Sequence, residues 1–493
     1  MDLKKPHAVD LSRAIRIGNV RLNDVLAQHA ERVGELDAED STPPTPSCIF
    51  VYARGIVPYV DDANGDGGAA CNSSPLPRPV KKKKRPEKHS ANRNAKRAQI
   101  RAINGHTLKA CALNRVLGTV PVPVDMALET NTIPVTLTGW MGQTDRAIEN
   151  AGARDAKSAE QEGDCDFEKS EIPTRRFLEL NEALAEPGMR LITAEMQGPT
   201  TAIIDADDQV IVVLNCGPIG ASDWKRTTEE ASTAMDKAAQ LLYGPDYDKE
   251  PLEQHGDCPR RGPHYAVHMG TGMGGGQQQP TPFTLHYSVT QILTALFFHD
   301  AIARFVGMAN GLFQMYAPKL YRYYLDTMCE LQKWDPNLPL LAPLLSCVFA
   351  CVTFNFGPQT VTFPHLNFLN LAWGWCFITA LGWYDYRKGG HLILWDLRLV
   401  IEFPPGSTFA IPSAVLRHSN VSIQQGEKRF SMTQYTSAGV FRFVNNGFRT
   451  DVTVKAKMSK AEQHEFAAAA RVRYSKGLEM YSTLEELKMR AFM

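Results

Sequence analysis

No two cysteines of this 493-residue chain stand in a C-x-x-C spacing; the nearest pair, Cys347 and Cys351, lies in the apolar run 340–353. Ten scattered cysteines of this kind argue against a disulfide framework or a zinc site and read as reduced, buried thiols of an intracellular protein. No apolar h-region follows the opening MDLKKPHAVDLSRAIR, and the apolar stretch 291–313 is broken by His299, Asp300 and Arg304. Neither a signal peptide nor a membrane span is therefore expected. Net charge is lacking too: 53 Lys plus Arg balance 53 Asp plus Glu, which leaves electrostatic recognition to local clustering. The segment HMGTGMGGGQQQP (268–280) lacks the G-x-x-x-x-G-K-[ST] order of a P-loop, and its glycine content argues against a helix or strand interior.

What is present begins with clustering of charge. Residues 78–101 hold eleven Lys or Arg against one acid, a net +10. Within this basic arm Lys81, Lys82, Lys83, Lys84 and Arg85 form a compact block, suited to nuclear import, to phosphate contact through counterion release, or to both. Residues 16–36 have helical spacing, and the turn formers after them predict disorder, so 1–105 reads as a mostly disordered N-terminal region. The span 106–175 reads as linker or insertion, with nine acids against four bases over 145–171. Regular structure is expected from about 176, within a chain whose 44% hydrophobic content suffices for one large core or two smaller ones. A hairpin is expected over 202–215 and helices over 223–243, 288–316 and 320–334. Beyond Asn355 short β-rich runs separated by Gly and Pro turns argue for a sandwich or barrel up to 449, followed by a helical tail over 450–493.

The β-rich region carries one constellation of chemical interest. Residues two apart on a strand point the same way, so a metal site of two imidazoles and a carboxylate is written His-x-Asp or His-x-Glu, with a second His on a later strand. PHLNFLNLAWGW supplies His365 and Asn367, IPSAVLRHSNV supplies His418, and GEKRFS places Arg429 eleven residues on, with Ser431 on the same strand face. A planar, permanently charged guanidinium suits bidentate capture of a carboxylate. The five-residue separation of His391 and Asp396 puts them on opposite faces of one strand, so they cannot share an ion, and Asp385 reads as a turn residue. Trp373, Trp375, Trp383 and Trp395 crowd the region and read mainly as packing.

Over 350–449 these segments resemble the TET/J-binding-protein family of 2-oxoglutarate/Fe(II) dioxygenases, in particular its fungal transposon-associated branch. The resemblance implies an α+β fold with a double-stranded β-helix core (jelly-roll or cupin-like) and flanking helices, forming a dioxygenase domain over 176–449. It implies Fe(II) and 2-oxoglutarate, nuclear location, and methylated duplex DNA with a flipped base as partner, with 5-methylcytosine or N6-methyladenine as the oxidised base. Carried over residue by residue, His365, Asn367 and His418 fall on the metal positions and Arg429 on the 2-oxoglutarate anchor, which Ser431 assists. Lys81 to Arg85 is the DNA-binding block expected from charge alone. An amide at position 367 replaces the family's carboxylate and is expected to weaken iron binding. A catalytically inactive DNA- or partner-binding protein is the alternative, and a prolyl-hydroxylase-like protein hydroxylase is a third reading.

Overall fold

Along the strands of the β-rich region apolar and polar side chains alternate, which places greasy residues on one face of a sheet and hydrogen-bonding ones on the other. The computed structural model describes residues 115–492, apart from 129–132, 145–146, 149–175, 219–220, 249–261, 263 and 343–345. The basic arm with Lys81 to Arg85, the helix over 16–36 and the disorder expected around them lie outside the described residues.

The fold is mixed α+β and built on two sheets. The nine-stranded sheet contains β1 (Val120–Pro123), β3 (Thr200–Ile204), β4 (Val210–Asn215), β5 (Tyr265–Gly272), β6 (Thr281–Pro282), β7 (Cys351–Phe356), β8 (Cys376–Trp383), β11 (Thr408–Ile411) and β13 (Lys428–Tyr435). Its order is β1-β3-β4-β11-β8-β13-β7-β5-β6. The four-stranded sheet contains β2 (Arg190–Ile192), β9 (Leu392–Leu394), β10 (Leu399–Ile401) and β12 (His418–Asn420), in the order β12-β9-β10-β2. The segment at His365 pairs antiparallel with His418 at the free edge of β12. From β7 onward the chain therefore alternates between sheets: β7 large, the His365 segment small, β8 large, β9 and β10 small, β11 large, β12 small, β13 large.

The outer face of the large sheet is mainly apolar. Val352, Phe354, Phe356, Phe377, Leu381, Phe430 and Met432 are buried in the main core, and helices cover them. Helix α1 (Trp224–Tyr243) buries Ala231, Ala234, Met235, Ala238 and Ala239 at helical spacing, and its Ser232 hydroxyl accepts the Gly382 N–H of β8 at 2.8 Å. Phe313 stacks on Phe349 at 5.4 Å between centroids.

Several elements differ from the sequence expectation. The single helix expected over 288–316 is two, α2 (Tyr287–Phe297) and α3 (Asp300–Tyr316), bent by 69°. Neither Gly nor Pro marks the break; His299 makes it, since its imidazole accepts the Ala301 N–H and caps α3. Helix α4 (Pro318–Trp334) starts on Pro318, whose missing N–H costs nothing in a first turn. Residues 268–272, expected to be irregular, are strand β5: Gly270 at φ +114 lets β5 close on β7, where a Cβ would sit 2.1 Å from the Ala350 carbonyl oxygen. Within the expected linker, Val120–Pro123 forms β1 and pairs in parallel with β3.

The C-terminal segment is α-helical, with α5 (Ala438–Asn445), α6 (Lys460–Arg471), α7 (Arg473–Leu478) and α8 (Leu484–Phe492). Leu478, Tyr481, Leu484 and Leu487 enter the main core. Gly477 lies on the Trp373 ring so closely that a Cβ there would come within 2.2 Å of it. Among the described residues no single helix is long and apolar enough to cross a membrane.

Candidate metal and cosubstrate site

His365 and His418 stand opposite each other in the antiparallel pair that closes the small sheet, exchanging backbone hydrogen bonds of 3.0 and 3.1 Å. Directly opposed residues share a face, so their rings meet at 4.3 Å between centroids. Each Nδ1 lies against a main-chain carbonyl two residues back, at 2.7 Å from Phe363 O for His365 and 2.9 Å from Leu416 O for His418. An Nδ1–H held by a carbonyl places the lone pair on Nε2, the tautomer and orientation that a metal-binding imidazole needs. Asn367 follows two residues after His365, and its Nδ2 is 3.3 Å from His418 Nε2. All three side chains are buried, and Asn367 Oδ1 has no hydrogen-bond partner among the described residues.

Two donors bound about 2.1 Å from one ion at right angles are about 3 Å apart, close to the spacing of the Asn367 amide and His418 Nε2. Rotating the amide by half a turn would present Oδ1 in place of Nδ2; the two orientations have nearly the same shape. Among the described residues no three His, Cys, Asp or Glu side chains gather in a metal-binding group. The donor set is thus two imidazoles and an amide.

Arg429 lies in β13 and is 1% exposed. Its Nη1 donates to the Thr360 carbonyl, while Nε and Nη2 have no partner among the described residues. The rings of Phe403 and Tyr384 lie 5.4 and 5.8 Å from the guanidinium carbon, and no ion pair with a carboxylate is seen among the described residues. Burial pushes the Tyr384 phenol up, so it stays a neutral donor, to the Phe403 carbonyl. Gly390 makes this packing possible: at φ +73, a Cβ would lie 2.7 Å from the Tyr384 ring and 3.3 Å from Arg429 Cδ. A buried guanidinium without a counter-ion is costly, and orphaned N–H groups add to the cost, so the arrangement suits an incoming anion. Ser431 is on the same face, its hydroxyl accepting from Asn355 Nδ2 at 2.9 Å.

The other residues considered from sequence fall as follows. Asp396 is exposed in the turn after β9 and accepts the Arg417 N–H at 2.6 Å. Asp385 organises the 385–389 turn and pairs with Lys388 at 3.1 Å. Trp373, Trp375 and Trp395 are buried packing residues, whereas Trp383 is 43% exposed. His391 is fully buried, neither ring nitrogen finds a partner among the described residues, and burial pushes its imidazole down to about 4. Sequence reading missed Thr360, Tyr384, Phe403 and Asn355, which shape the arginine's surroundings. Only Asn355 left a signal, as the polar residue in an otherwise apolar or β-branched run, CVTFNF.

No family profile matches the chain, and no curated protein matches it. Solved structures resemble it in part, two of them as follows. One, described as NgTET1 in complex with 5mC DNA, has a TM-score of 0.35 at 11% identity, covering 52% of this chain and 84% of that one. The other, an oxidoreductase of the 2OG-Fe(II) oxygenase family from Burkholderia pseudomallei, has a TM-score of 0.23 at 15% identity, covering 45% and 92%. Likeness at that level carries no functional argument, and the functional reading rests on the chain's own residues.

Proposed function

We propose that this chain is an Fe(II)/2-oxoglutarate-dependent dioxygenase whose two sheets form a double-stranded β-helix, acting on methylated bases of DNA. The carrying observation is that the segment 359–365, which pairs with Arg429 at one end and His418 at the other, links two imidazoles held in the metal-binding tautomer to a buried arginine with no ion pair among the described residues. The residues fit both groups: His365, His418 and the Asn367 amide oxygen would hold the metal, and Arg429 with Ser431 would hold the far carboxylate of 2-oxoglutarate. Bound Fe(II) supplies the centre at which oxidative decarboxylation of 2-oxoglutarate is coupled to oxidation of a C–H bond. The protein's part is positional. The two main-chain carbonyls keep both Nε2 lone pairs aimed, Thr360 fixes one arm of the guanidinium, and Tyr384 and Phe403 wall the carboxylate end with aromatic surface.

Methylated DNA as substrate, 5-methylcytosine first and N6-methyladenine second, is supported by the resemblance of 350–449 to the TET/J-binding-protein family. Contact with DNA phosphates and nuclear location are supported by the Lys81 to Arg85 block. A second reading has its own observation: the Asn367 amide is within hydrogen-bond distance of His418 Nε2, which satisfies the imidazole without a metal. On that reading the fold is a catalytically silent binder of DNA or a partner.

Anaerobic Fe(II) titration with and without 2-oxoglutarate separates the two. The wild-type chain is expected to bind Fe(II) weakly and more tightly with 2-oxoglutarate present, and Asn367→Asp to raise affinity at least about tenfold by restoring an anionic ligand. If neither chain binds the ion and 2-oxoglutarate changes nothing, the oxygenase reading fails and the silent binder remains.

A further inference from the structure

The ladder between β8 and β13 ends at the pair Trp383–Lys428. Beyond it a side chain takes over from the main chain: Glu427 Oε1 accepts the Asp385 N–H at 2.7 Å. The other carboxylate oxygen, Oε2, accepts the Gln424 N–H at 2.9 Å, and the Glu427 N–H returns a bond to the Gln424 carbonyl at 3.2 Å. Gly426, at φ +83, gives this turn the left-handed corner it needs. Glu427 is half-buried, and each of its oxygens is held by a main-chain donor. It also stands two residues before Arg429 and is the nearest carboxylate to it along the chain. A desolvated guanidinium attracts any carboxylate within reach. Yet Arg429 Nη1 donates to the Thr360 carbonyl, and Nε and Nη2 meet no partner among the described residues.

The Asp385 N–H that Glu427 takes follows directly on Tyr384, whose ring lies 5.8 Å from the guanidinium carbon and whose hydroxyl donates to the Phe403 carbonyl. The turn after Tyr384 is held at both ends. At its far end the Gly390 N–H lies 3.2 and 3.3 Å from the Val421 and Ser422 carbonyls; at its near end the Glu427 carboxylate ties it to the strand that carries Arg429. We propose that Glu427 is a positioning residue for the anion pocket: it sets the Tyr384 ring against Arg429 and, being held by two main-chain donors, leaves the guanidinium open to a dicarboxylate. The depth of the pocket, and so the length of diacid it prefers, then depends on a side chain that does not touch the ligand. This rests on the reading of Arg429 as the 2-oxoglutarate anchor, and its test separates the two.

The full-length chain and the variants Glu427→Gln and Glu427→Ala are titrated calorimetrically with 2-oxoglutarate and with its shorter and longer homologues, oxaloacetate and 2-oxoadipate. Amide exchange at Asp385 is followed in the ligand-free proteins. Both substitutions remove the charge, so whatever the charge does to anion affinity is common to them; only Gln keeps an acceptor for the Asp385 N–H. Glu427→Ala is expected to bind 2-oxoglutarate about tenfold more weakly than Glu427→Gln and to lose most of the preference among the three diacids. Its Asp385 amide is expected to exchange about tenfold faster, with the two melting temperatures alike. Equal 2-oxoglutarate affinity in the two variants, or a length preference that survives in Glu427→Ala, overturns the role of Glu427 and leaves the Arg429 reading standing. A fall in melting that accompanies the loss of affinity also overturns it, because general loosening then explains the result. If the wild-type chain binds none of the diacids, the Arg429 reading fails and takes this role with it.

Discussion

The two faces of the large sheet are made by the same strands and do opposite work. On β7 and β13 the outward residues Val352, Phe354, Phe356, Phe430 and Met432 are fully buried under helices. The inward ones Thr353, Arg429 and Ser431 are nearly as buried yet polar, Asn355 among them is half-buried, and Arg429 keeps donors without partners among the described residues. Burial alone therefore does not distinguish packing from chemistry here; a buried guanidinium with no ion pair among the described residues does. The outer face supplies the free energy that the inner face spends holding a cation and orphaned donors in place.

The sharpest break of this comparison is Phe354→Ala on the outer face, expected to lower unfolding free energy by about 4 kcal/mol in denaturant titration. A loss below about 1 kcal/mol would mean the helix-covered face is not the stabilising one. Next comes His391 of the small sheet, neutral when folded and fully buried. Its folded pKa lies below the ordinary 6.5, so the unfolded chain takes up the proton first as pH falls; stability is whole above about 6.5 and is lost toward about 4. The loss amounts to about 3 kcal/mol, and His391→Leu should flatten that part of the pH–stability curve; an unchanged curve would show that another group titrates there. Arg429→Lys replaces a two-pronged donor by a point charge and should weaken 2-oxoglutarate binding tenfold or more, about 2 kcal/mol, with little change in melting. Equal affinity would remove the arginine from the proposed cosubstrate site. Smallest is Trp383→Ala at the half-exposed end of the outer face, where its ring meets Phe430 edge-on at 6.1 Å; about 1 kcal/mol or less is expected in the same unfolding assay.

How much of this was legible before any coordinates depended on the range of the interaction. His365, Asn367, His418 and Arg429 could be proposed in order because strand periodicity is local, and the structure brings Asn367 and both histidines together. The hairpin of β3 and β4 and the helix over 224–243 were likewise local, with turn residues between two β-rich runs and an alanine-rich face at helical spacing. The Arg429 surroundings were not legible, since Thr360, Tyr384 and Phe403 meet the guanidinium only through the winding of the two sheets. The same holds for Glu427, whose carboxylate takes the Asp385 N–H across 42 positions of sequence. Where local rules misled, a specific contact overrode them: the cap made by His299 broke a helix that periodicity ran straight through, and the close approach of β5 to β7 put glycines inside a strand.

The contact between Gly477 and Trp373 has a consequence for anyone cutting the chain. A fragment ended at 449, where the β-rich region stops, would strip the Trp373 ring of its cover and leave the partners of Leu478, Tyr481, Leu484 and Leu487 facing water. Such a fragment should be recovered as aggregate, while fusion partners at the far end of α8 leave the interior untouched. At Gly477 itself any side chain larger than hydrogen would wedge the last helices off the Trp373 ring, making this buried glycine as intolerant of change as a large core residue.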